Sequence, residues 1–435
     1  MQGGWRGRIL PSAVAARGVL WRLAPSLAGL AIYLAFVMVR AINFQLYLKL
    51  FQAIDAIPNL LPFSDTRAVL QAFSCARQGV DVYLRNACMG GGQYNYSSFL
   101  LRAGADLQLG PGQSMAVGLL SGMLVLGALA LLPPAQSRRE MMLRMAAMGS
   151  GALVALLDSA NIDCLLFAAS LCGALALRQG VAGRVCGYGV FALLAAVKFY
   201  PAVLFVLLVR EARFVFWTVC IAALVAGGLY VWHFGAGVIT ALMILPSGPP
   251  YDNLFGAHNL VAGFVVLFSP APSPVILPAT LVLVALALYV AWREAPLYDV
   301  ALLAVDETRR LLLLAGALIM TECFFSAQNF NYRAVFFLLT LPGLCAMARL
   351  APHLARRFDG VGLAVLFLMW EPLARYLTGY LAAVMFGSGA VWLKMAFWLI
   401  RELVWWRVGI FFAAIVIAYA RGGTGMLFRQ PAPGG

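Results

Sequence analysis

The stretch "APSLAGLAIYLAFVMVRAINFQLYL", residues 24–48, decides the fold class. It is an apolar run longer than the roughly 20 residues a helix needs to cross a hydrocarbon core of about 30 Å. Runs of this kind recur along all 435 residues, and 63% hydrophobic against 11% charged residues cannot be arranged as a water-soluble globule with a polar skin. None of them reads as the alternating strands of about 10 residues that build an outer-membrane barrel. The sequence therefore predicts an all-α integral membrane protein, and the first run is expected to be an uncleaved anchor, being long, lacking a clear small-residue cleavage site and leading into further spans.

Working outward, further spans are predicted near 114–132, 145–158, 163–177, 185–197, 201–209, 214–232, 276–292, 311–325, 334–348, 361–385 and 405–420, about twelve crossings in all. Arg6, Arg8, Arg17 and Arg22 place the N-terminus inside, because short loops rich in lysine and arginine stay cytoplasmic. With that start, inner segments hold about 19 of the 31 basic residues, so the alternation is self-consistent and both termini are cytoplasmic. The hairpins 145–177 and 185–209 are short for full crossings, which points to broken or partial helices around a cavity. One polytopic domain results. Its longest non-spanning segments are 49–113, a first extracytoplasmic loop, and 233–275, a second one.

The net charge of +14 is spread through inner loops rather than gathered with aromatics on one surface, so it reads as membrane orientation and anionic lipid contact, not nucleic-acid binding. Of eight cysteines, Cys164, Cys172, Cys186, Cys220, Cys323 and Cys345 lie in or beside spans as small packing groups, while Cys75 and Cys88 share the first outer loop and can pair if that side is oxidising. There is no CxxC pair and no His-rich spacing, and Asp65 and Asp81 have no neighbouring histidine, so neither a metal site nor a cofactor is expected.

Carboxylates are costly at membrane depth and mark functional sites by default. Outside the inner loops they are Asp55, Asp65, Asp81, Asp106, Asp158, Asp163, Asp252, Glu322, Glu371 and Glu402. Polar clusters sit where the topology turns hairpins outward: "DSANID" (158–163), "VKFYP" (197–201), "FGAHN" (255–259) and "FSAQNFNYR" (325–333). Each is by itself an ordinary set of turn and cap residues. Together they can converge on one pocket beneath the loop that carries "PFSDTRAVLQAFSCARQGVDVY" (62–83).

The order of these features resembles the polytopic GT-C glycosyltransferases, most closely the bacterial branch of glycosyltransferase family 87. The resemblance covers roughly residues 20–350. It rests on an acid in the first outer loop (Asp65), on "GVDVY" (79–83) with Asp81 and Tyr83, and on "YNYSS" (94–98) with Tyr96, which lacks the family's proline. It rests further on "DSANID", where Asp158 stands for a glutamate ahead of Asn161 and Asp163, on an intact "KFYP" with Lys198 and Tyr200, and on Gln328, Tyr332 and Arg333. The resemblance implies a GT-C-type bundle in a bacterial plasma membrane with an extracytoplasmic active site. It implies inverting, one-step transfer of a mannose-like or pentose sugar from a polyprenyl-phosphate donor to a glycolipid or glycan acceptor.

The chemistry asks for a base to deprotonate the acceptor hydroxyl and cations to receive the departing lipid phosphate. Asp65 is the expected base, following "LPFS" where the chain leaves the membrane and a helix can begin with Ser64 as its N-cap. Lys198, Arg333 and His258 are expected on the phosphate. Asn161 and Asp163 are expected on sugar hydroxyls, and Asn259 and Gln328 complete the set. Arg67 and Arg77 either contact phosphate or headgroup or lie in the interface with their stems snorkelling. A transporter or lipid flippase, which would carry polar groups midway and repeats between its halves, and a lipid-linked glycan ligase or polymerase are the competing classes.

Overall fold

The computed structural model describes residues 10–53, 60–244, 248–268, 274–387 and 390–427. Asp55 and the first N-terminal arginines lie outside the described residues. The described chain is helical nearly throughout, as a sequence this apolar requires when every backbone amide must find its partner within its own segment. In chain order the helices are α1 (Leu10–Ile42), α2 (Phe44–Ala53), α3 (Ser64–Arg77), α4 (Ser98–Asp106), α5 (Ser114–Ala130), α6 (Arg138–Met148), α7 (Gly151–Ser159), α8 (Asp163–Ala176) and α9 (Val181–Val197). A 3-10 segment, Tyr200–Arg210, leads to α10 (Arg213–Met243), α11 (Ala257–Phe268), α12 (Ile276–Glu294), α13 (Asp299–Ala304), α14 (Glu307–Ser326), α15 (Phe337–Leu350), α16 (Ala355–Met369), α17 (Glu371–Phe386) and α18 (Ala390–Leu427).

Six helices are long and apolar enough to cross a membrane, or eight if each of two bent pairs is one span. These eight coincide with eight of the expected crossings. The others fall on α14, which is 20 residues long but carries four charges, and on the short elements α8, α9 and Tyr200–Arg210. Segment 233–275, read from sequence as non-spanning, contains the end of α10 and all of α11.

The bent pairs explain each other. The α6–α7 break bends by 46° at Gly149–Ser150, and the α16–α17 break by 68° where Pro372 opens α17. Trp370 at the second bend donates to the Ala146 carbonyl at 3.0 Å, and Cβ atoms at Gly149 and Gly151 would meet Trp370 and Pro372. The two kinks thus lock together.

At the core, α14 and α15 are enclosed: residues Phe337–Met347 are all buried. The polar group at one end of this core is Glu140, fully buried, which accepts from Arg144 on its own helix and from Arg309 of α14 at 2.8 Å. Arg309 also donates to the Pro342 and Pro134 carbonyls. Glu140, Arg144, Arg309 and Pro134 belong to a loop or helix ends that the sequence assigns to the inner side, while Pro342 lies within α15. At the periphery, α10 is apolar on all faces and packs lightly, the pattern of a helix whose solvent is lipid.

Within the first loop, α3 and α4 pack on a small core of their own around Phe73, Val82 and Tyr94. Cys75 and Cys88 are disulfide-bonded, 13 residues apart with Cα atoms at 6.0 Å, so the pairing left open by the sequence is made. Closing a loop of this size contributes about 3 kcal/mol in the chain-entropy view. Reduction, or Cys88→Ser, is expected to expose residues 78–97 to limited proteolysis at least tenfold faster while the spans remain protected.

Helix α5 meets the loop through Gly118, where a Cβ would collide with the ring of Phe63. Gly118→Ala is therefore expected to destabilise by about 1–3 kcal/mol. Gly127→Ala on the same helix meets nothing within 4 Å and should not lower the melting temperature. Equal melting of the two variants in detergent would contradict this packing.

Candidate functional site

The site begins where α3 docks on the turn between α7 and α8. Phe63 takes the left-handed conformation (φ 55°) and α3 starts at Ser64. Ser64 is therefore the first helical residue and not the N-cap expected from sequence; no side chain caps this helix start. Its hold comes from outside the helix: Phe63 N donates to the Asp158 carbonyl at 3.2 Å and Thr66 Oγ1 to the Ala160 carbonyl at 2.6 Å. Ala160 is itself left-handed (φ 47°), so α7 ends sharply and α8 leaves in a new direction.

That turn sets Asn161. Its Oδ1 accepts from Asp163 N at 3.0 Å, an Asx turn just ahead of α8, which leaves its amide hydrogens for the side chains around it. Nδ2 donates to Asp65 Oδ2 at 2.7 Å, with the hydroxyls of Tyr332 at 3.1 Å and Tyr96 at 3.2 Å also in reach. Burial raises the Asp65 pKa above the ordinary carboxylate value, and the hydrogen bonds from Asn161 and Ser159 and the charge of Lys198 offset only part of that. Burial likewise holds the Tyr96 phenol protonated.

Beside this group stands Asp163, with no exposed surface. Its Oδ1 accepts from Lys198 Nζ at 2.7 Å and Tyr200 Oη at 3.0 Å, and its Oδ2 from Arg333 Nε at 3.0 Å. Lys198 lies 5.2 Å from the Tyr96 ring centroid, and the Arg333 guanidinium 5.1 Å from that of Tyr200. Asp163 therefore has both oxygens engaged by protein donors, and its part is to fix two cations rather than to receive sugar hydroxyls as the sequence suggested. Arg333 commits only Nε to protein; its two terminal nitrogens have no other partner among the described residues.

The segment that delivers Tyr332 and Arg333 is fixed from two sides. Strands β1 (Leu254–Phe255) and β2 (Asn329–Phe330) pair antiparallel. Gln328 bonds both ways with Gly248 and donates to Asn259 Oδ1 at 2.6 Å. Asn331 donates to Glu371 at 3.2 Å; Glu371 in turn meets Arg401, which also binds Glu402 at 2.6 Å and the Pro250 and Asp252 carbonyls. Glu371 and Glu402, flagged from sequence as outer acids, are thus counter-ions of a buried arginine that anchors α18.

Of the expected site residues, then, Asp65, Tyr96, Asn161, Asp163, Lys198, Tyr200, Tyr332 and Arg333 form one connected network. Asn259 and Gln328 brace its frame. Asp81 is exposed and its carboxylate accepts from Tyr83 N at 2.9 Å, an Asx turn. Tyr83 reaches the network only through the Tyr96 carbonyl at 3.4 Å. His258 opens α11 half-buried, and no contact joins it to Asp65 or Asp163 among the described residues. Arg77 donates to the Leu109 carbonyl and Arg67 is exposed.

Asp158 does not join either. It accepts from Tyr47 Oη at 2.9 Å and pairs with Arg40 at 3.6 Å, on the other side of the α3 start. Arg40 and Tyr47 are contributions that sequence reasoning did not identify, as are Thr66 and Ser159. Among the described residues no group of His, Cys, Asp and Glu is arranged to hold a metal ion.

No family model, no curated protein and no solved structure matches this chain. The geometry carries the functional reading.

Proposed function

We propose that this chain is a membrane glycosyltransferase that moves a sugar from a polyprenyl-phosphate donor to an acceptor hydroxyl. One observation carries the reading: a carboxylate with a raised pKa, Asp65, sits in a single hydrogen-bonded network with a buried, two-cation centre that still has free donors. A general base and a phosphate receiver are what the reaction needs, a few ångströms apart and in a place of reduced polarity.

In the proposed step the acceptor oxygen attacks the anomeric carbon from the face opposite the phosphate. Its proton passes to Asp65 as the new carbon–oxygen bond forms. The bond from the anomeric carbon to the phosphate oxygen breaks, and the leaving polyprenyl phosphate takes the electron pair against the terminal nitrogens of Arg333 and the Lys198 ammonium. One displacement inverts the anomeric centre. Asp163 holds both cations at fixed positions without entering the reaction, and Asn161 orients Asp65.

The network lies wholly on residues that the arginine distribution assigns to the extracytoplasmic side, in keeping with a GT-C-like bundle of about twelve crossings in a bacterial plasma membrane and with the likeness to glycosyltransferase family 87. Helix α8 begins and α9 ends at this network, so it is built where helix ends meet rather than in the middle of a span.

The test is transfer of radiolabel by purified protein in vesicles from polyprenyl-phosphate mannose, arabinose and glucose to extractable lipid or glycan, with scrambling of a fluorescent phospholipid followed in the same vesicles. Label in an acceptor from at least one donor supports the proposal. Scrambling without transfer from any donor would replace it with a flippase.

A further inference from the structure

The side that the arginine distribution assigns to the cytoplasm carries two arginines that the fold holds in place without neutralising. Arg309 and Arg310 are neighbours at the start of α14. Arg309 is buried and meets the carboxylates of Glu140 at 2.8 Å and Asp306 at 3.3 Å. Arg310 is part-exposed and has no carboxylate: its Nη1 donates to the carbonyls of Leu303 at 3.3 Å and Val305 at 3.4 Å, and its Nε and Nη2 have no partner among the described residues.

Arg210 repeats the pattern at the end of the 3-10 segment. Its Nε donates to the Tyr419 carbonyl at 2.7 Å, its guanidinium lies 4.6 Å from the Tyr419 ring centroid, and its Nη1 has no partner among the described residues. The charges of Arg310 and Asp299 both reach Arg210, so two cations and one acid share this neighbourhood. Asp299 forms an ion pair with neither arginine among the described residues. Other acids nearby are engaged: Glu211 by Arg184 and by Tyr188 at 3.1 Å, and Asp306 by Arg309. A third cation, Arg421, lies over the Trp292 ring at 6.0 Å, where the end of α12 meets α18. Positive charge with open guanidinium donors remains, and phosphate oxygens match it in charge and geometry.

The surroundings separate a lipid phosphate from one in solution. Val300 is 80% exposed, and Trp292, Leu297 and Leu303 are each more than half exposed, all at the end of α12 or on and just before α13. Leu303 belongs to the very turn whose carbonyls Arg310 holds. Apolar side chains left bare beside arginines mark a segment that lies in a membrane interface. A nucleotide or an acidic peptide gains nothing from them, whereas acyl chains do.

We infer that Arg210 and Arg310 hold the phosphate of an anionic glycerophospholipid of the inner leaflet, whose acyl chains lie against Leu297, Val300 and Leu303. Basic sites between helices on the cytoplasmic side take lipid head groups in this way. The site binds and does not react, and it lies on the side opposite the Asp65 network by the same arginine assignment, so it does not depend on the proposed transfer.

The test is native mass spectrometry of the full-length protein released from nanodiscs that contain phosphatidylglycerol and phosphatidylcholine in equal amounts. Retained phosphatidylglycerol is expected to exceed phosphatidylcholine several-fold. Arg310→Gln and Arg210→Gln should each lower that excess about fivefold, the worth of one basic group near an anionic surface. Val300→Asn should lower it without changing the charge, while Arg138→Gln, at an exposed inner-side position on α6, should leave it unchanged. Arg210 also braces α18, so if Arg210→Gln melts lower than wild type, Arg310→Gln and Val300→Asn decide. No excess of phosphatidylglycerol overturns the inference. So does an excess that Arg138→Gln lowers as much as Arg310→Gln, since the attraction is then diffuse surface charge. Binding of inorganic phosphate by lipid-free protein, with Val300→Asn leaving lipid retention unchanged, would place a soluble phosphate there instead and overturn the lipid assignment.

Discussion

Asp163→Ala is expected to cost about 3–5 kcal/mol and to leave little folded protein after detergent extraction. The carboxylate has no exposed surface and is the only acidic partner of Lys198 and Arg333 among the described residues. Removing it leaves two positive charges a few ångströms apart inside the protein, with Tyr200 losing its acceptor as well. Most of the penalty is that of stranded charge, not of three lost hydrogen bonds, so the double replacement Asp163→Ala with Lys198→Met should recover part of the loss. Thermal melting of the three proteins in one detergent decides this. A single variant that melts with wild type would mean that the cations are solvated and that the buried centre is not as described.

Asp65→Asn is expected to act in the opposite sense on stability and to abolish activity. Loss of a general base costs typically 10²–10⁴-fold in rate. The stability effect follows from the direction of the pKa shift. Because burial raises the folded-state pKa of Asp65, the fold prefers the protonated carboxyl; that preference contributes fully below the ordinary carboxylate pKa and is lost as pH rises through the folded value. At neutral pH wild type therefore carries an ionised, desolvated group, and the asparagine variant should melt higher, with the difference shrinking as pH falls toward 4. For the same reason the acid limb of the wild-type rate profile should lie above the usual carboxylate range. A site that weakens its own fold in this way is what a functional carboxylate, rather than a structural one, would show.

The helical membrane class was legible because it rests on composition and run length alone, and of the four clusters expected to converge, "DSANID", "VKFYP" and "FSAQNFNYR" do meet, while "FGAHN" supplies only Asn259, through Gln328, and not His258. Which acid does what was not. Asp158 and Asp163 are five residues apart and read as one motif, yet the left-handed Ala160 between them turns the chain so that one faces Arg40 and the other Lys198. Nothing local announces a left-handed alanine; the turn is imposed by Thr66 and Phe63 docking from α3.

Glu371 and Glu402 were visible as costly membrane acids, but their shared Arg401 partner depends on how α17 packs on α18. Arg40 sits inside the opening apolar stretch, where a lone charge signals a partner without naming it. Conversely Cys75 and Cys88 needed only proximity in one loop, and the structure pairs them.

The central claim is that Asp65 removes a proton during sugar transfer from a lipid phosphate. Its most direct test is single-turnover transfer from radiolabelled polyprenyl-phosphate sugar by wild type and Asp65→Asn, prepared alike and shown to melt no lower than wild type. The account predicts label in the acceptor with wild type and at least a hundredfold slower appearance with the variant, donor binding being kept. Transfer at the wild-type rate by the asparagine variant would contradict it and leave the Asp65–Asn161 contact as a packing interaction.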